Sequence, residues 1–85
     1  MAEKSVTVKL RSGLHARPAA LFVQQANKFS SDVFVEKQGK SVNAKSIMGI
    51  MSLAIGSGTD IIIRAEGTDA EKAVESLSEM VSVEE

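Results

Sequence analysis

The chain's one histidine and one proline fall in a single turn, Ser12-Gly13-Leu14-His15-Ala16-Arg17-Pro18-Ala19-Ala20. His15 brings an imidazole, which is nucleophilic when neutral and changes charge near neutral pH. Its phosphoryl adduct is a reactive phosphoramidate, suited to passing phosphate onward. Arg17 brings a guanidinium able to donate a charge-assisted hydrogen bond to a phosphoryl oxygen, about 1.5–3 kcal/mol in a well-formed site and less when exposed. Pro18 lacks an N–H and suits the first turn of a helix, where that donor has no intrahelical partner. The free N–H groups of Ala16 and Arg17, with the helix dipole behind them, complete a place for a phosphoryl group. Position alone leaves a second reading, in which a histidine beside an arginine in a loop is merely solvated.

Ser46 is the second residue with chemistry. It precedes the apolar run Ile47-Met48-Gly49-Ile50-Met51-Ser52-Leu53, where a serine N-cap contributes about 1 kcal/mol by itself. A phosphate on it would add about −1.5 to −2 charges at the positive end of a helix dipole, close to Lys45 and Lys40 in the chain, without unfolding the helix. The helix is apolar nearly all round, more than one face against a sheet can bury. With Ile50, Leu53 and Ala54 pointing inward, Ile47, Met48 and Met51 form an adaptable outer patch beside Ser46, extended by Ala16 and Ala20 beside His15. The competing reading places all these apolar residues in the core.

The elements that must hold these residues follow from periodicity. Ser5 to Arg11 alternates, with Val6, Val8 and Leu10 on one face, as a half-buried strand does. From about Ala16 to Lys28 the stripe Ala19, Phe22, Val23, Ala26 has helical spacing, closed by Phe29. Val33 to Glu36 and Ser41 to Asn43 flank Lys37-Gln38-Gly39-Lys40 as a hairpin in which Gly39 can supply a positive φ. A short helix follows from Ser46 to about Leu53, then a glycine-marked loop and the strand Ile61-Ile62-Ile63, ending near Glu66-Gly67. Thr68-Asp69-Ala70-Glu71 has capping-box spacing ahead of Ala70, Ala73, Val74, Leu77, Met80 and Val81 at helical intervals. The order β-α-β-β-α-β-α predicts one α+β domain over residues 1–85: an open-faced β-sandwich, with a four-stranded, largely antiparallel sheet and three helices on one face. The other face would carry Thr7, Lys9 and Phe34.

Composition narrows the partners. The 85 residues carry ten basic and eleven acidic side chains, a net charge of −1, with no basic stripe and no interleaved aromatics, which disfavours nucleic acid as a direct partner. One histidine and no cysteine fall short of the usual zinc ligand sets, so no metal or cofactor is expected. No serine sits in a G-x-S-x-G elbow. Absence of cysteine, of an N-terminal apolar h-region and of an 18-residue apolar run points to a cytoplasmic protein without membrane insertion.

The segments Ser12 to Ala19 and Lys45 to Leu53 resemble the two signature segments of the HPr family, histidine phosphocarriers of the bacterial phosphoenolpyruvate:sugar phosphotransferase system, and element order agrees along the chain. The resemblance extends to the Crh catabolite-repression subgroup, through Arg17 to Phe29, Asp32 to Lys37 and Val42 to Ser46. That subgroup is known for lacking the phosphorylatable histidine, which His15 would supply here. The resemblance implies that His15 accepts phosphate at Nδ1 from enzyme I and gives it to sugar-specific IIA domains, with Arg17 supporting the phosphoryl group and Pro18 shaping the turn. Such a protein is a phosphoryl-transfer intermediate rather than a turnover enzyme. It further implies that HPr kinase/phosphorylase modifies Ser46 and that the product acts as corepressor of the transcription factor CcpA. The alternative is a Crh-type regulatory module working mainly through Ser46. The chain would be a monomer or, by analogy with Crh, a strand-swapped dimer hinged at Ser12-Gly13.

Overall fold

The computed structural model describes residues 1–11, 13–14 and 16–83. Its elements are β1 (Ala2–Thr7), α1 (Ala16–Ala26), β2 (Asp32–Lys37), β3 (Lys40–Asn43), α2 (Ile47–Ser52), β4 (Asp60–Glu66) and α3 (Ala70–Ser82). The four strands form one sheet in the order β1-β4-β2-β3, and all three ladders are antiparallel. β4 is central because its alternation is complete: Ile61, Ile63 and Ala65 are buried, and Ile62 and Arg64 face the other way. Val33 and Val35 of β2 continue the inner face. Phe22 of α1, Ile50 of α2, and Leu77 and Val81 of α3 join these residues in one buried cluster, which is why the helices share a side. No described helix is long and apolar enough to cross a membrane.

Several boundaries differ from the sequence expectation. β1 starts at Ala2 and ends at Thr7, where its ladder closes with Thr7 opposite Asp60. Val8 and Leu10 are buried as expected, yet they lie beyond the strand: β4 begins only at Asp60, so the ladder has no further partner. The extended chain is held instead by Val8 N–H donating to Thr59 O (2.9 Å) and Lys9 N–H donating to Val81 O (2.8 Å). The Lys9 backbone is thereby tied to the end of α3, beyond the ladder, whereas Thr7 and Phe34 are in register on the open face. The open face is laced by Arg64, which pairs with Glu3 at 2.9 Å and Glu36 at 3.4 Å.

α1 ends at Ala26 and not at Lys28, since the bonds Lys28 N–H to Gln25 O and Phe29 N–H to Ala26 O tighten the chain into a final i→i−3 turn. The hairpin turn has Gln38 at φ 50° and Gly39 at φ 82°, the paired positive φ values of a two-residue type I′ connection. At α3 the predicted capping box does not form. Asp69 is the N-cap residue and makes no side-chain cap bond. Its carboxylate instead accepts from the Ser30 and Ser31 N–H groups (2.9 and 3.0 Å) and from the Ser31 hydroxyl, tying the β4–α3 loop to the α1–β2 loop. Those donors, the Ser31 hydroxyl first, hold the carboxyl down to about 2 from its usual 3.8.

Candidate functional site

Two pieces of chain hold the described site residues: the first turns of α1, and α2 with its N-cap Ser46. The approach to α1 is fixed by Gly13 and Leu14. Leu14 is buried, and its N–H donates to Ile55 O at 2.9 Å. Gly13, at φ 71°, donates to Leu10 O, and a Cβ there would stand 2.7 Å from Gly56 Cα and closer still to the Ile55 carbonyl oxygen. Only glycine fits such a contact between two backbones. Past it, α1 opens at Ala16, with Arg17 exposed and Pro18 half-buried in the first turn. Ala19 and Phe22 anchor the helix in the core. His15 and the side chain of Ala16 lie outside the described residues, as does Ser12 of the proposed hinge. No acidic residue occupies the first turn of α1, so the N–H ends and Arg17 set the local sign of charge.

Ser46 is the N-cap of α2, as its position predicts. Its backbone is extended (φ −112°, ψ 118°), and its Oγ accepts from Gly49 N–H at 3.1 Å. Asn43 prepares this corner: its Oδ1 accepts from Lys45 N–H (2.8 Å) and its carbonyl from Ser46 N–H (3.2 Å). Gly49 lets the helix lie close on β3, since a Cβ would sit 3.3 Å from Asn43 O. Lys45 precedes Ser46 in the chain, and without a phosphate on Ser46 its side chain is engaged elsewhere. Its ammonium donates to the Phe29 carbonyl at 2.8 Å, just past α1, where an orphan acceptor attracts a cation. Lys40 opens β3, exposed and in register with Lys37.

α2 divides as its all-round apolarity requires. Ile50 and Leu53 are buried, while Ile47, Met48 and Met51 are 37%, 76% and 47% exposed. Ala54 does not point inward: it adopts φ 51° as the helix unwinds and is exposed, and Ile55 takes the buried place. Ala20 is half-buried on α1, which packs against α2. On α1 the sequence reading missed an exposed apolar residue, Leu21, 47% exposed. Its spacing of four from Arg17 puts the two on one helical face, which was the available signal.

Comparison with known proteins agrees with this arrangement. Residues 2–82 match the family described as "PTS HPr component phosphorylation site". The chain is 61% identical to the HPr-like protein Crh of Halalkalibacterium halodurans over 99% of its own length and 100% of that protein's. The phosphocarrier protein HPr of Bacillus anthracis superposes with a TM-score of 0.93 at 64% identity, covering 94% of this chain and 95% of that one. The Bacillus subtilis Crh crystal structure, a domain-swapped dimer, superposes with a TM-score of 0.77 at 58% identity over 95% and 93% of the two chains. With its sheet order, its capped α2 and a match running from the first strand to the last helix, the chain belongs to the HPr family.

Proposed function

We propose that this protein is a cytoplasmic phosphocarrier that accepts a phosphoryl group on His15 from enzyme I and delivers it to sugar-specific IIA domains. A nitrogen lone pair of neutral His15 attacks the phosphorus of the phosphorylated donor. An N–P bond forms as the donor's bond to phosphorus breaks, and delivery reverses the same step. Arg17, exposed at the opening of α1, donates to the phosphoryl oxygens, joined by the first-turn N–H groups. Modest stabilisation of this kind keeps the transfer reversible. The observation that carries the reading is the pairing, in a chain matched to a phosphorylation-site family from residue 2 to 82, of its one histidine with Arg17 and Pro18 at the start of α1. Wild type incubated with phosphoenolpyruvate and enzyme I should gain acid-labile phosphate that His15→Ala lacks; equal labelling of both removes His15 from the role.

Ser46 is the regulatory site in this proposal, phosphorylated by HPr kinase/phosphorylase. The exposed Ile47, Met48 and Met51, with Ala16 and Ala20, serve as the docking surface for enzyme I, IIA domains, the kinase and CcpA. The high identity to Crh favours a second reading, in which the Ser46 phosphate and CcpA are the main outlet. Equal CcpA affinity before and after kinase treatment refutes that branch. The swapped Crh relative supports a dimer alongside the monomer, with β1 exchanged and opening at the Gly13 loop.

A further inference from the structure

α2 is too short to hold itself. Six residues fall well below the length at which a helix is autonomous, and its outward side is apolar and unpartnered. Ser46 closes its N-terminal end, but the last carbonyls of any helix lack intrahelical donors. In α2 the Gly49, Ile50 and Met51 carbonyls take donors from the same turn, the Ser52 hydroxyl and the Leu53 and Ala54 N–H groups, and for the two carbonyls that follow, at the C-cap Leu53 and at Ala54, a residue from another element supplies the donor. Lys37, the last residue of β2, donates from Nζ to Leu53 O at 2.9 Å and to Ala54 O at 3.0 Å. Its direction follows from the strand: Lys37 is in phase with the buried Val33 and Val35 and so lies on the helix-bearing side of the sheet. The cation meets the negative end of the α2 dipole, and it does so where Ala54 takes a left-handed conformation unusual for a non-glycine residue.

We infer that Lys37 is a positioning residue for the docking face: its ammonium clamps the C-terminal turn of α2 to β2 and thereby sets where Ile47, Met48 and Met51 stand relative to the sheet. Burial of Ile50 and Leu53 holds the helix down but is non-directional, whereas two hydrogen bonds from one fixed strand position define its orientation. The inference rests on the proposed use of that face by partners, while the clamp itself is testable without them.

The test compares wild type with Lys37→Met, which keeps a long apolar stem and loses the ammonium, and with Lys37→Arg, which restores a cationic donor. Amide exchange at Leu53 and Ala54, whose N–H groups close the last turn onto Ile50 O and Met51 O, should quicken about tenfold in Lys37→Met, and the Met51 methyl resonance should move. Lys37→Arg should restore both, with α3 amides protected as in wild type throughout. In enzyme I-dependent phosphorylation, Lys37→Met should raise KM about tenfold with kcat kept, again rescued by arginine. Unchanged α2 exchange, equal acceleration in α3, or quickened α2 exchange with an unaltered KM each overturn the inference. If wild type itself is not phosphorylated, the carrier reading fails, and the exchange and methyl data still decide whether Lys37 is the clamp.

Discussion

Gly13 offers the sharpest calculation, because Gly39 provides its control. Both have left-handed φ values, 71° and 82°, but a Cβ on Gly39 meets nothing within 4 Å, whereas one on Gly13 runs into the backbone of Ile55 and Gly56. Gly39→Ala therefore costs only the left-handed penalty, about 1–2 kcal/mol, partly offset by a less flexible unfolded chain, for a net of about 1 kcal/mol. Gly13→Ala adds about 1–3 kcal/mol for forcing two backbones apart. It also strains the Leu14 N–H to Ile55 O bond, adding about 1 kcal/mol. The total is about 3–5 kcal/mol, roughly 15–25 °C in Tm for a chain of this size, against about 5 °C for Gly39→Ala. With no Trp or Tyr in the chain, urea unfolding is followed by far-UV circular dichroism, with the slope against urea checked for equality among the three proteins. Gly13→Ala falling within about 1 kcal/mol of Gly39→Ala would refute the claim that the approach to α1 is sterically locked on the Ile55–Gly56 backbone.

Other outcomes follow from single side chains. Asp69 has its carboxyl held at about 2, below the ordinary 3.8, so its contribution to stability is complete above about pH 4 and is lost as pH falls through 2; Asp69→Asn should flatten that part of a Tm-versus-pH curve, and an unchanged slope contradicts the Ser30–Ser31 tie. Ser78 is 2% exposed, and its Oγ has no hydrogen-bond partner among the described residues, so Ser78→Ala should raise Tm, by about 1 kcal/mol of stability, in a calorimetric scan. Ser46→Ala should cost about 1 kcal/mol through the lost cap, leave the fold intact, and take up no phosphate from ATP and the kinase by mass spectrometry. Light scattering over a concentration series should show a dimer fraction if β1 exchanges between chains; monomer at every concentration rejects the exchange.

What could be read in advance was whatever rests on local periodicity. Ile61, Ile63 and Ala65 alternating with polar partners, and the α3 stripe from Ala70 to Val81, define their elements within a few residues, and the Ser46 cap follows from a serine placed before an apolar run. What was hidden depends on partners distant in sequence. β1 stops where β4 begins, information held more than fifty residues away. Asp69 looks like one member of a capping box until Ser30 and Ser31 arrive from the other end of the core and claim its carboxylate. The same holds for Lys37, read as part of the hairpin turn, and Lys45, read as a neighbour of Ser46, whose ammonium groups go to carbonyls just past α2 and α1. Ala54, expected to point inward, is instead exposed at a left-handed exit, and the next residue, Ile55, fills the buried place.

Whether His15 accepts phosphate in this chain is read by phosphorus and nitrogen NMR of the intact protein after incubation with phosphoenolpyruvate and enzyme I. A phosphoramidate resonance coupled to the His15 ring nitrogen Nδ1 is expected, collapsing on addition of a IIA domain or acid and absent from His15→Ala. A spectrum in which enzyme I leaves wild type without phosphoramidate, while ATP and the kinase still phosphorylate Ser46, would contradict the carrier role of His15 and make this protein a regulator alone.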